Sequence, residues 1–281
     1  MSLSTPAPLS PAAAPSPAAP GPGPSPTAGP RPRPVRDALL LARRTYIHHL
    51  RVPSLIVFPL VTPMIFLLLF RYILGGSIVI PGVSYVDFLV PGIIVQSITF
   101  GATQTGVGLA TDVGQGIADR FQALPISRSA VVAGRVLVDT ARNLVLVGTV
   151  LVAGLVIGFR PDTGPAQLAL AVGLATGFAF AFGWLSAFIG LNVRHAEAVH
   201  DAGFVWVIPL TFASSALVTV DSMPAAIRPL ARLNPVTSVA DAVRALLLGD
   251  PAGTATVHAL LWIAALLAVF VPLAVRAYQK R

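Results

Sequence analysis

GPAQLALAVGLATGFAFAFGWLSAFIGLNV, residues 164–193, runs for thirty residues without one Asp, Glu, Lys or Arg. An α-helix rises about 1.5 Å per residue, so about 20 apolar residues cross about 30 Å of hydrocarbon. This stretch is long enough to span a membrane, and it is not alone. Five further segments are free of charge or nearly so: 52–70, 88–111, about 136–159 with Asp139 and Arg142 near its beginning, one within 202–220 and one within 254–275. The expected fold class is therefore an all-α integral membrane protein with six transmembrane helices. Prolines interrupt several of them, at Pro53, Pro59, Pro63, Pro91, Pro209 and Pro272. Spanning helices tolerate such breaks where neighbours serve the freed carbonyls.

Composition agrees. Of 281 residues, 55% are hydrophobic and only 11% charged, against about 25% charged in soluble domains. The mean hydropathy is +0.79. A net charge of +8 raises the question of nucleic acid, but the arginines sit at the ends of apolar runs and form no basic soluble face, so no nucleic-acid partner is expected. The absence of cysteine excludes disulfides, thiolate catalysis and Cys-ligated metal. One lysine against eighteen arginines, with abundant Ala, Gly and Pro, suggests a GC-rich bacterial genome.

Outside the spans, three pieces stand out. Residues 1–34 are almost entirely Ala, Pro, Ser and Gly; such a segment buries too little apolar surface to fold and reads as a disordered tail, with no signal-peptide pattern. In residues 35–51, Leu39, Ala42, Tyr46 and Leu50 recur at helical spacing while Arg44, His48 and Arg51 share another face, the pattern of an interfacial amphipathic helix. In LNPVTSVADAVRALLLGDP, residues 233–251, Asn234 caps a helix that accepts Pro235 in its first turn, and Gly249 ends it before Pro251. Val236, Val239, Val243 and Leu247 form its stripe, and Asp241 and Arg244 are its charged positions. It suits a helix resting on the outer mouth of the bundle or a re-entrant arm.

Orientation follows from the positive residues beside the span ends, since short cytoplasmic loops carry the excess. With six spans both termini share a side, and that side holds thirteen of the Lys and Arg residues against five, with Arg142 inside a span. Both termini are expected in the cytoplasm, and with them the charged stretch DRFQALPISRSAV, residues 119–131. There, Ile117, Phe121 and Leu124 make one apolar ridge at helical spacing, Asp119 and Arg120 flank it, and Pro125 stops the helix before Ile126 and Ser127 begin the next.

The chemistry that is missing is informative. The sole lysine, Lys280, follows Gln279, so no Gly-Lys-Ser/Thr loop can cradle ATP. HExxH, GxSxG and Ser-x-x-Lys are absent. Gly106 and Gly108 form a lone GxG inside an apolar helix, where close helix packing is the expected use. His48 and His49 are adjacent and point apart, and His195 and His200 flank Glu197 at a spacing that suits no zinc site. No cofactor of its own is expected. Asp139 and Arg142, three residues apart, are neighbours on one helix face and read either as an ion pair or as a proton-coupling acid with its neighbour. No convergent polar cluster that would fix a substrate head group is legible.

Two stretches carry a family resemblance: GQGIADRFQALPISRSAVVAGRVLVDTARNLVLVGTVLVAGLVIGF at 114–159 and NPVTSVADAVRALLLGDP at 234–251. Both resemble the permease subunits of type-2 ATP-binding-cassette exporters, above all the daunorubicin-resistance branch, over 35–281. The departure is Gln115 before Gly116, where many members carry an acidic residue. The resemblance implies a six-helix transmembrane domain over 52–281. It also implies that Ile117, Asp119, Arg120, Phe121, Leu124, Pro125, Ser127 and Arg128 belong to a cytoplasmic coupling helix between spans two and three. Its implied partners are two copies of a separate ATPase that binds the ATP and a second permease, a copy or a paralogue. Membrane lipids and a hydrophobic substrate, whether drug, lipid or polyketide, complete the set, in a bacterial cell membrane. The competing classes are an ion-coupled secondary transporter or channel, for which Asp139 is the candidate acid, and a membrane lipid-modifying enzyme, which lacks an acid, base and nucleophile set.

Overall fold

The computed structural model describes residues 36, 39, 40, 42, 54–75, 80, 82–116, 128–193, 196–251 and 253–280. The tail over 1–34 and most of the interfacial helix over 35–51 lie outside them; Arg36, Leu39, Leu40 and Ala42 are helical. Regular structure among the described residues is all helical. Helix α1 is Ser54–Leu69, continued by a π turn at Phe70–Leu74. Then come α2 (Tyr85–Gly114), α3 (Arg128–Val156), α4 (Pro165–Asn192), α5 (Ala196–Phe212), the short α6 (Arg228–Leu233), α7 (Pro235–Leu248) and α8 (Gly253–Gln279).

Of these, α2, α3, α4 and α8 are long and apolar enough to cross a membrane; at 27 to 30 residues each measures about 40–45 Å. The six-span expectation thus meets four long helices among the described residues. The other two apolar segments fold as shorter α-helices of 16 residues in α1 and 17 in α5. Both carry prolines, Pro59 and Pro63 in α1 and Pro209 in α5, and a proline leaves the carbonyl four residues earlier without its helical donor.

The burial pattern is that of a protein dissolved in hydrocarbon. Asp139, Asn143, Gln96, Thr99, Thr105 and Ser186 are buried, while Val145, Val152, Val156, Leu170 and Leu261 are exposed. On α3 the exposed positions Leu137, Leu144, Val145, Val152 and Leu155 follow the helical repeat, and Val136, Asp139, Asn143 and Val150 fill the opposite face. A water-soluble helix would reverse this arrangement.

Helix α2 is the axis of the bundle, packed against α1, α3, α4, α5 and α7. Its glycines make the approach possible. A Cβ on Gly190 of α4 would collide with the Gly106 carbonyl oxygen, and one on Gly92 with that of Ala216. Gly106 N–H also donates to Ser186 Oγ at 3.2 Å. The GxG at Gly106 and Gly108 therefore serves close packing. Helix α8 lies to the outside against α4, α7 and α3.

At the end of the bundle where α2 begins, α7 closes the structure. Asn234 Oδ1 accepts from Val236 N at 2.9 Å, and its Nδ2 donates to the Leu210 and Ala213 carbonyls at 2.6 and 2.8 Å. One side chain thus starts α7 and serves carbonyls at the end of α5. The helix stops at Gly249, whose φ of 76° suits glycine. Val236, Val239, Val243 and Leu247 are all buried, which explains the spacing of the stripe.

Because the obstacle at Gly92 is backbone, Gly92→Ala is expected to lower thermal stability in detergent by about 1–3 kcal/mol or to abolish folding. Gly148 has open space around it, so Gly148→Ala is expected to be neutral or to stabilise by up to about 1 kcal/mol. Equal unfolding temperatures for the two variants would refute the role given to Gly92.

Candidate functional site

Three sets of polar side chains interrupt the apolar bundle, and each is built on α2. The first lies toward the end of the bundle where α2 stops and α3 starts. Arg135, Asp139 and Arg142 occupy successive turns of one α3 face. Arg135 Nε donates to Asp139 Oδ2 at 3.2 Å, and Arg135 Nη1 stands 3.6 Å from Asp112 Oδ2 of α2. Arg142 Nη1 lies 3.6 Å from Asp139 Oδ1, an ion-pair distance too long for a hydrogen bond. Arg142 Nη2 donates to the Gly101 carbonyl at 3.1 Å.

Asp139 is 1% exposed, so its charge could not persist there alone. Two arginines and two aspartates balance, and glycines make the room. A Cβ on Gly108 would occupy the site of the Arg135 guanidinium. Gly101 and Gly108 are two turns apart on α2, as are Arg142 and Arg135 on α3, so the two rows match in register. The i to i+3 pair of Asp139 and Arg142 is thus part of a larger knot that includes Arg135 and Asp112, two residues outside the sequence-predicted set. Arg135 at i–4 from Asp139 was a usable signal; Asp112, on another helix, offered none.

Beside the knot, α1, α2, α3 and α5 line a partly open cavity of about 390 Å³. Gln96 and Asn143, the latter adjacent to Arg142, are among the residues that line it, as are Phe66, Phe100 and Phe204. His200 stands edge-on to Phe204 with ring centroids 4.8 Å apart. Here the structure corrects the sequence reading that no polar cluster converges: Gln96, Arg142 and Asn143 do converge, from two helices whose relative placement no spacing rule supplies.

The third set joins α7 to α2. Arg244 Nη1 donates to Asp241 Oδ1 at 2.7 Å, Nη2 to the Ser215 carbonyl at 2.9 Å and Nε to the Phe88 carbonyl at 3.2 Å. Its guanidinium carbon lies 3.8 Å from the centre of the Phe88 ring, close enough for a cation–π contact. Burial lowers the pKa of Arg244 from its ordinary value, and Asp241 opposes that shift. Ser215 Oγ donates to Asp241 Oδ1 at 2.6 Å. This set has the geometry of a clasp: Arg244 is paired with Asp241 and donates to a carbonyl of α2 and to one of the loop that follows α5.

Of the remaining sequence-predicted residues, Pro235 is the first residue of α7 and Arg128 the first of α3. Ile117, Asp119, Arg120, Phe121, Leu124, Pro125 and Ser127 lie outside the described residues, as do His48, His49 and His195. Among the described residues no group of three or more His, Cys, Asp or Glu could hold a metal ion.

Comparison with known proteins follows the same segments. The sequence model of the ABC-2 type transporter family matches residues 36–248. The chain is 34% identical over 220 residues to the daunorubicin resistance ABC transporter permease protein DrrB1 of Streptomyces coeruleorubidus, covering 78% of this chain and 77% of that one. It is 27% identical over 245 residues, 86% and 88% of the two chains, to a probable doxorubicin resistance ABC transporter permease protein DrrC of Mycobacterium tuberculosis. The putative transport permease ycf38 of Porphyra purpurea is 26% identical over 218 residues, 75% and 73% of the two chains.

The charge knot makes a definite prediction. Removing one member of a buried ion pair costs about 3–5 kcal/mol, whereas replacing both by apolar residues is often nearly neutral. Asp139→Leu is expected to lower stability by about 3 kcal/mol, and adding Arg142→Leu should recover at least half of the loss. Thermal unfolding in lipid nanodiscs reads the cycle, and an additive double variant would show that the two charges are not coupled.

Proposed function

The chain belongs to the ABC-2 type transporter family as a permease subunit and not as an enzyme, and on that premise we propose that it carries a hydrophobic drug-like or lipid-like substrate outward across a bacterial cell membrane. ATP hydrolysis belongs to a separate ATPase subunit. In this reading two permeases, copies or paralogues, pair with two ATPases. The long helices α2, α3, α4 and α8 supply four crossings. The π turn lengthens α1 to residues 54–74, about 31 Å, for a fifth, and α5 with the turns that follow it makes the sixth. Both termini and residues 117–127 then face the cytoplasm, in keeping with the bias of thirteen positive residues against five.

The observation that carries this reading is that the family match, 36–248, runs through the charged segment between α2 and α3. A permease without an ATP-binding loop must receive its drive by contact, and a short helix bearing Ile117, Phe121 and Leu124 between Asp119, Arg120 and Pro125 suits that contact. Arg128 joins the segment directly to α3. An ion-coupled carrier is disfavoured because its candidate acid, Asp139, is paired with Arg135 and Arg142 in a structural ion-pair set.

Phe121→Ala combined with Leu124→Ala is expected to leave the permease inserted and abundant, to reduce ATPase recovered with it about tenfold or more, and to stop export, because a small interface rests on few apolar anchors. Drug accumulation in cells and co-purification in mild detergent read the two effects. Unchanged export with the ATPase still bound would move the coupling surface elsewhere, first to residues 35–51.

A further inference from the structure

The cavity beside the charge knot holds a contradiction that a bound molecule would resolve. Gln96 is 3% exposed and Asn143 2% exposed. Among the described residues, neither the Oε1 nor the Nε2 of Gln96 has a hydrogen-bond partner, nor has the Oδ1 of Asn143. An unanswered buried amide costs about 1–3 kcal/mol, and in hydrocarbon there is no bulk water to answer it. Both residues reach the wall of the same 390 Å³ space, which lies within the about 300–1,000 Å³ of ordinary ligand pockets. Gly101 keeps the approach to Asn143 open, since a Cβ there would stand 2.6 Å from Asn143 Oδ1.

We propose that Gln96 and Asn143 form, within a single permease chain, a binding site for an uncharged molecule with a flat apolar body and one edge that both donates and accepts hydrogen bonds. The proposal rests on reading the chain as an exporter permease and names the substrate chemistry of that function. Two carboxamides on neighbouring helices offer donors and acceptors together, which matches a carboxamide edge or a hydroxyl beside a carbonyl. Phe66, Phe100 and Phe204 supply ring faces and edges for the body, with the Phe100 and Phe204 centroids 6.1 Å apart. Net charge is disfavoured on both signs. Arg142, on the same wall, is already engaged by Asp139 and the Gly101 carbonyl, which leaves it less to offer an anion. Asp139 is likewise taken by Arg135 and Arg142.

Equilibrium dialysis of radiolabelled naphthalene-2-carboxamide against the full-length permease in nanodiscs, with empty nanodiscs subtracted, tests the site. The expected result is saturable binding of one molecule per chain, weakened at least about tenfold by Gln96→Leu and by Asn143→Leu. Naphthalene and naphthalene-2-carboxylate should each bind at least about tenfold more weakly than the carboxamide. Unfolding temperatures of the variants at or above that of the unmodified chain will confirm that they fold. The proposal is overturned if no saturable binding remains after subtraction, if naphthalene binds as tightly as the carboxamide, or if neither variant changes the affinity. ATP-driven export by the complete complex is scored separately: export without carboxamide binding sinks the site and leaves the permease reading intact, while binding without export does the reverse.

Discussion

Inside a bilayer no bulk water is at hand to satisfy a polar group, so one left unanswered there is costly. That constraint explains the use of glycine along α2. At Gly92 the missing side chain admits the Ala216 backbone, at Gly106 the backbone of α4, and at Gly101 and Gly108 the Asn143 amide and the Arg135 guanidinium. The four notches set the positions of the loop before α6, of α4 and of α3 around one axis. Helix association in lipid has little hydrophobic drive, so contact of this closeness is what holds the helices in place.

The charge knot and the clasp at the opposite end apply the same rule. Arg142 donates to the Gly101 carbonyl, and Arg244 to those of Phe88 and Ser215, so each arginine is both a charge to be neutralised and a donor to backbone. Within the proposed function the knot has a further consequence. It ties α2 to α3 next to the segment that joins them, so a push on residues 117–127 is borne by two helices locked together and transmitted along the axis of the bundle. The cavity lies along the same two helices, beside the knot.

Much of this was legible in the sequence because it is local. The four longest helices follow from their long apolar segments, α7 from Asn234, Pro235 and Gly249, and the pairing of Asp139 with Arg142 from their spacing. What was not legible depends on which helix faces which. Gln96 and Asn143 are 47 residues apart and read singly as stray polar residues in apolar runs; only the packing of α2 on α3 brings them to one wall. Arg135 read as a charge beside a span end, yet its partner Asp112 belongs to another helix. In α1 and α5 the apolar segments fold as helices of 16 and 17 residues, and the effect of Pro59, Pro63 and Pro209 on where regular helix stops depends on neighbours that the sequence does not place.

The central claim is that this chain is a membrane part without a motor, driven from the cytoplasm at the segment between α2 and α3. Cysteines placed singly at Ser127 and at Ser222 test it directly, since the natural chain has none. In intact cells an impermeant thiol reagent is expected to label Ser222→Cys and to spare Ser127→Cys. In inside-out vesicles it should label Ser127→Cys, and the bound ATPase should protect that position. Labelling of Ser127→Cys from outside the cell, or in vesicles regardless of the ATPase, would contradict the account.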